Sequence, residues 1–92
     1  MAFPHVHHLT EEQIRELLGE FSSEDELTIT RIRYKNEVEI RRSATISVVE
    51  LRREISESME TGWGSDFDVE LPTIGKTLIG HHDGVFWLEP TA

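Results

Sequence analysis

Two groups of side chains in this sequence carry metal-binding atoms. The five histidines include His5-x-His7-His8 near the start and His81-His82-Asp83 near the end. On a strand, His-x-His turns both rings to the same side. Imidazole nitrogen together with carboxylate oxygen is a zinc donor set. His5, His7, His81 and His82 are therefore the candidate ligands, with Asp83 available to complete a tetrahedron. The spacing matches no strong zinc motif. Only an N-terminal arm laid along the edge of the last hairpin would bring the two groups together. The plainer reading is polar side chains on an arm and at a turn. Histidine titrates near neutrality, so a pH-sensitive contact is a further role open to them.

Nucleophilic and phosphate chemistry lack the residues they need. Ser22, Ser23, Ser43, Ser47, Ser56, Ser58 and Ser65 fall in caps, loops and helix faces, with no Gly-x-Ser-x-Gly. A serine triad needs a placed nucleophile, base and orienter. Gly62-Trp63-Gly64 is too short to cradle a phosphate. Ile74-Gly75-Lys76-Thr77 ends as a phosphate loop does, but it lacks the earlier glycine and a strand follows it. Cysteine is absent, which removes disulfides, thiolates and cysteine zinc sites. A chain of 92 residues also encloses little pocket volume. The sequence reads as non-enzymatic, with no cofactor.

Charge gives the positive indication. Eighteen acids against nine bases leave a net charge of −9. Residues 1–30 carry −6, residues 31–53 carry +4 and residues 54–92 carry −7. Such an excess repels nucleic acid and anionic membrane and steers a cationic partner inward. The basic middle, with Arg31, Arg33, Arg41, Arg42, Arg52 and Arg53, is expected to be neutralised within the molecule, for instance by Glu39 across from Arg33 and by Glu57 after the second arginine pair. Carboxylates around an aromatic anchor suit a basic protein surface. The expected contact residues are Glu57, Glu60, Asp66, Asp68 and Glu70, with Trp63 as anchor and Trp87 beside them.

The function expected from this pattern is a small acidic domain that binds and blocks a basic partner, a toxin or nuclease, as immunity proteins and inhibitors do. The alternative is a scaffold, adaptor or self-associating module, suggested by hairpin edges and a C-terminal hairpin apolar on both faces. The third reading is a histidine metal-binding domain. No nucleic-acid or membrane partner is expected, and the molecule is expected as a monomer or homodimer. The start, Met1-Ala2-Phe3-Pro4-His5, lacks the basic and apolar regions of a signal peptide, so a cytoplasmic location is expected.

The elements that must position these residues can be read from periodicity. Thr10-Glu11-Glu12-Gln13 is a capping box, with Leu9 and Ile14 in staple positions. Ile14, Leu17, Leu18 and Phe21 then form one apolar stripe, which predicts a helix over 10–21. Ser47-Val48-Val49-Glu50 opens a second helix over 47–61, stopped by Gly62. Residues 27–34 and 38–41 read as a hairpin. A three-residue loop, Lys35-Asn36-Glu37, would set Tyr34 opposite Val38 and Arg33 opposite Glu39. The apolar parity changes between Ile29 and Ile32, which calls for a bulge near Thr30 or for cover on both faces. Phe67, Val69 and Leu71 alternate with acids up to Pro72, the mark of a half-buried strand. Residues 77–82 and 85–89 flank Asp83-Gly84, a two-residue turn pair that would set Gly80 opposite Trp87. The fold class is therefore α+β: two helices on a mostly antiparallel sheet of about five strands, in the order α-β-β-α-β-β-β, forming one domain over 1–92 with 1–8 as an N-terminal arm.

Overall fold

A computed structural model describes residues 7–91 of the chain; His5 and most of the expected arm lie outside them. The first helix, α1 (Glu11–Leu18), starts at the capping box. Thr10 Oγ1 accepts from the Gln13 N–H at 3.1 Å, and Gln13 Oε1 accepts from the Thr10 N–H at 2.9 Å. Ile14 and Leu18 are its buried residues. The helix ends three residues before the expected position. Gly19 is a poor helix former, and beyond it the amides of Glu20 and Phe21 bond three residues back, to Leu17 and Leu18, as a tightened last turn. Phe21 still packs on the core from outside the helix.

The second helix, α2 (Val48–Thr61), is capped by Ser47 Oγ, which accepts from the Glu50 N–H at 3.2 Å. It stops at Gly62, whose φ of 80° is the left-handed conformation that glycine adopts without penalty. Val48, Leu51 and Ile55 carry its core face.

Five strands form one sheet: β1 (Glu26–Lys35), β2 (Val38–Ser47), β3 (Asp66–Leu71), β4 (Lys76–Gly80) and β5 (Phe86–Pro90). Their spatial order is β2-β1-β3-β4-β5, and every neighbouring pair is antiparallel. One face of the sheet, with Leu27, Ile29, Ile46, Phe67, Val69, Leu71, Leu78 and Phe86, closes a single core with the apolar stripes of both helices. This is the α+β architecture and element order expected from the sequence. Among the described residues, no helix is long and apolar enough to cross a membrane.

Both hairpins sit one residue away from the expected register. In the first, Asn36 and Glu37 have φ of 51° and 66°, so the loop has two residues and Lys35 faces Val38. The expected pair Arg33 with Glu39 does not form: Arg33 faces Ile40 and Glu39 faces Tyr34. The core decides this. The observed register sets Leu27 against Ile46 on the buried face, whereas a slip by one residue would turn Ile46 into solvent. β2 consequently runs on to Ser47, well past the expected 41. No bulge interrupts β1; Ile32 sits half-buried on the face opposite Ile29, so both faces are partly covered.

In the second hairpin the loop has three residues, not two. The His81 N–H donates to Val85 O and the Gly84 N–H to His81 O, both at 3.0 Å, with Gly84 at φ 77°. Gly80 therefore faces Phe86, and Trp87 faces Ile79. Trp87 does not stand opposite Gly80 as expected, and it is the ring of Phe67 that covers the bare backbone there. Phe86 joins Leu78 in the core, and Leu88 packs against it.

Two further features position the site. The Leu9 N–H donates to Phe86 O at 2.8 Å, which brings the chain ahead of α1 beside β5. The β1/β2 hairpin projects beyond the body, because β3 pairs with β1 only over residues 29–32.

Candidate functional site

The C-terminal turn of α2, residues 62–65, the start of β3 and the loop 82–84 meet at one end of the molecule. Glycines permit this meeting. A Cβ on Gly64 would fall 2.0 Å from Ser58 Oγ, and one on Gly84 would fall 2.7 Å from Ser58 O. The Gly64 N–H donates to His82 O at 2.8 Å and ties the two loops together. Trp63 stands on this base. Its carbonyl accepts from the Ser58 and Thr61 hydroxyls, each at 3.1 Å, so the backbone is fixed while the side chain is 71% exposed. Glu54, Glu57, Thr61, Trp63 and Arg31 border a shallow concavity of about 380 Å³. Glu60 is exposed in the same last turn of α2.

The histidines of the last hairpin lie at this end too. The His82 N–H donates to Asp66 Oδ1 at 2.9 Å, and His82 Nδ1 stands 3.1 Å from the same oxygen. The His81 and His82 rings have centroids 4.0 Å apart. Asp83 approaches both, at 3.4 Å from His81 Nδ1 and 3.5 Å from His82 Nε2. One donor atom each from Asp66, His81 and His82 fits within 4.8 Å of the others. His7 is not in this group. His8 is nearer, its ring 5.9 Å from that of Trp87, which stands 6.2 Å from His81. His5 lies outside the described residues. The sequence reading missed Asp66 as a histidine partner. It lies 16 residues away, and the contact follows only once β3 and β4 are known to pair through Phe67 and Gly80.

The remaining expected contact residues are dispersed. β3 is the central strand, so its acids stand in mid-sheet on the face away from the helices. Asp68 is held by Arg41 Nη2 at 2.5 Å, and Asp66 by His82. Glu70 is exposed but lies toward the other end of the strand, opposite Thr77. Trp87 is only 4% exposed and donates from Nε1 to Glu89 at 2.9 Å, so it offers no surface to a partner; the shifted register places it there. The acids expected to act as one edge thus separate into Glu57, Glu60 and Asp66 at the Trp63 end and Asp68 and Glu70 along the sheet.

The basic stretch is neutralised only in part. Arg31 donates to both Glu54 oxygens, at 2.7 and 2.9 Å, and to Ser65 Oγ. These bonds, against some desolvation, hold its guanidinium above the ordinary arginine value. Arg41 pairs with Asp68 and, at 3.5 Å, with Glu39. Arg33, Lys35 and Arg42 form no ion pair among the described residues, and with Tyr34 and Ile40 they line an open groove of about 660 Å³ on the projecting hairpin. Glu39 accepts from the Tyr34 hydroxyl at 3.3 Å, and its charge raises the phenol pKa. Among the described residues, the expected ion pair of Arg52 or Arg53 with Glu57 does not form.

No known protein-family model matches the chain, and neither a curated protein nor a solved structure matches it significantly.

Proposed function

We propose that this chain is a non-catalytic binding domain whose Trp63 end docks on, and sterically blocks, a basic partner protein. The observation that carries this reading is the exposed Trp63 indole on a backbone fixed by Ser58 and Thr61. A rigid aromatic costs little entropy to place and contributes large contact area, which is why tryptophan recurs at the energetic centre of interfaces. Glu57 borders the same concavity, Glu60 is exposed in the adjoining turn of α2, and the net charge of −9 draws a cationic surface inward. Asp68 is left out of this surface, because Arg41 already holds it. A toxin or nuclease with a Lys/Arg-lined cleft fits the requirement.

The test starts from a partner captured by crosslinking in native lysate and then purified. Trp63→Ala should weaken binding by about 2 kcal/mol or more. Glu57→Lys with Glu60→Lys should slow association at low salt. Binding unchanged in both variants would remove this end as the docking surface.

A second reading has its own observation. Among the described residues, β2 pairs only with β1, so one side of a ten-residue strand has no neighbour in the described sheet. Exposed Val38 starts it, and exposed Tyr34 stands beside it near the end of β1. A free edge of that length is a template for strand addition, including by a second copy. Sedimentation at micromolar concentration distinguishes the two, since a strict monomer excludes self-pairing.

A further inference from the structure

We propose that Asp66, His81 and His82 form a binding site for one zinc-class divalent ion. The donor set is two imidazoles and one carboxylate, the mixture that borderline first-row cations prefer. In a tetrahedral shell with metal–ligand bonds of about 2.0–2.1 Å, neighbouring donor atoms stand roughly 3.3–3.4 Å apart. His82 Nδ1 is already 3.1 and 3.3 Å from the two Asp66 oxygens. All three donors fit within 4.8 Å, so small side-chain rotations close the shell. His82 is exposed and free to make them.

The scaffold is arranged ahead of the ion. The His82 N–H fixes Asp66, the Gly64 N–H fixes His82 O, and the Gly84 N–H fixes His81 O. Gly84 seats the loop against the end of α2, where a side chain would collide with Ser58 O. Such preorganisation lowers the ordering cost of binding. Asp83 adds a second negative charge, 3.4 Å from one ring and 3.5 Å from the other. The fourth coordination position falls to water or to a side chain from a docked partner. The site lies at the same end as Trp63, but its three ligands are not among the residues on which the proposed docking rests.

The test uses the full chain without an affinity tag, stripped with EDTA and titrated with ZnCl₂ by calorimetry. Co²⁺ serves as a visible probe of tetrahedral coordination. The expected result is one ion per chain and tetrahedral Co²⁺ bands that Zn²⁺ abolishes. Asp66→Asn, and separately His81→Ala with His82→Ala, should bind about tenfold more weakly or worse. Circular dichroism in EDTA confirms that each variant folds, and Asp66→Asn, nearly isosteric, carries the test if the double variant does not. Replacing His5, His7 and His8 by alanine should leave binding intact. The proposal is overturned by an absence of stoichiometric binding, by its survival in the variants of Asp66, His81 and His82, or by its loss when only the N-terminal histidines are removed.

Discussion

The ring of Phe67 lies directly over Gly80. A Cβ built on Gly80 would come within 2.6 Å of the ring's Cζ, and within 2.9 Å of two further ring carbons. The two residues are also cross-strand partners between β3 and β4, so neither strand can retreat without breaking the pairing. Gly80→Ala should therefore destabilise by about 1–3 kcal/mol, although alanine is otherwise the better strand residue. Urea unfolding measures this. In the Phe67→Leu background the same change should cost less, and equal costs would show that the ring is not the obstacle.

The Arg31/Glu54 pair joins β1 to α2 by two short bonds. Both side chains keep about a third of their surface in water, so solvent screening limits the gain. A double-mutant cycle with Arg31→Met and Glu54→Leu should return a coupling of about 1 kcal/mol. The guanidinium pKa is raised, so its contribution is fully present below the ordinary arginine value and is lost only as pH rises past the folded value. Coupling measured at about pH 6 and pH 9 should agree as far as Arg31 is concerned.

Tyr34 is the only tyrosine in the chain, so its ionisation can be followed by ultraviolet absorbance without overlap from others. Glu39 raises its pKa, first through its charge and then through the accepted hydrogen bond. The folded protein should ionise at higher pH than the urea-unfolded chain. Glu39→Gln should shift the curve back toward the ordinary value. The stabilising contribution is present below the unfolded tyrosine pKa and disappears as pH rises through the folded one. Superimposable titrations of the two proteins would contradict the contact.

Glu37 occupies a left-handed conformation, φ 66°, in a two-residue turn beside Asn36. Such turns favour glycine at this position. Glu37→Gly relieves the strain and creates Asn-Gly, and should raise stability by up to about 1 kcal/mol despite the added freedom of the unfolded chain. Thermal unfolding gives the sign directly, and a loss of stability would mean the turn is of another type.

The helices were legible because their signals are local. Thr10 with Gln13, and Ser47 with Gly62, lie within or at the ends of single elements. The alternation of Phe67, Val69 and Leu71 likewise revealed β3 without further context. Registers were not legible, since turn residues compete with core burial. Asp83-Gly84 resembles a two-residue turn, yet Phe86 is the residue the core requires beside Gly80, and the loop lengthens to three. The pairing of Leu27 with Ile46 prevailed over Arg33 with Glu39 in the same way. The meeting of Trp63, Asp66 and His82 depended on strand order, which no residue pattern encodes locally.

The projecting β1/β2 hairpin divides the molecule into two tiers of cooperativity. Among the described residues, those of the hairpin beyond Ile32 have only each other as strand partners, while residues 29–32 of β1 are clamped by β3 as well. Amides near Asn36 should exchange with deuterium through local fraying, whereas those beside Val69 and Leu78 wait for global opening. A protease that nicks the tip would leave the inner sheet folded, so this hairpin tip should tolerate insertion without loss of the molecule's centre.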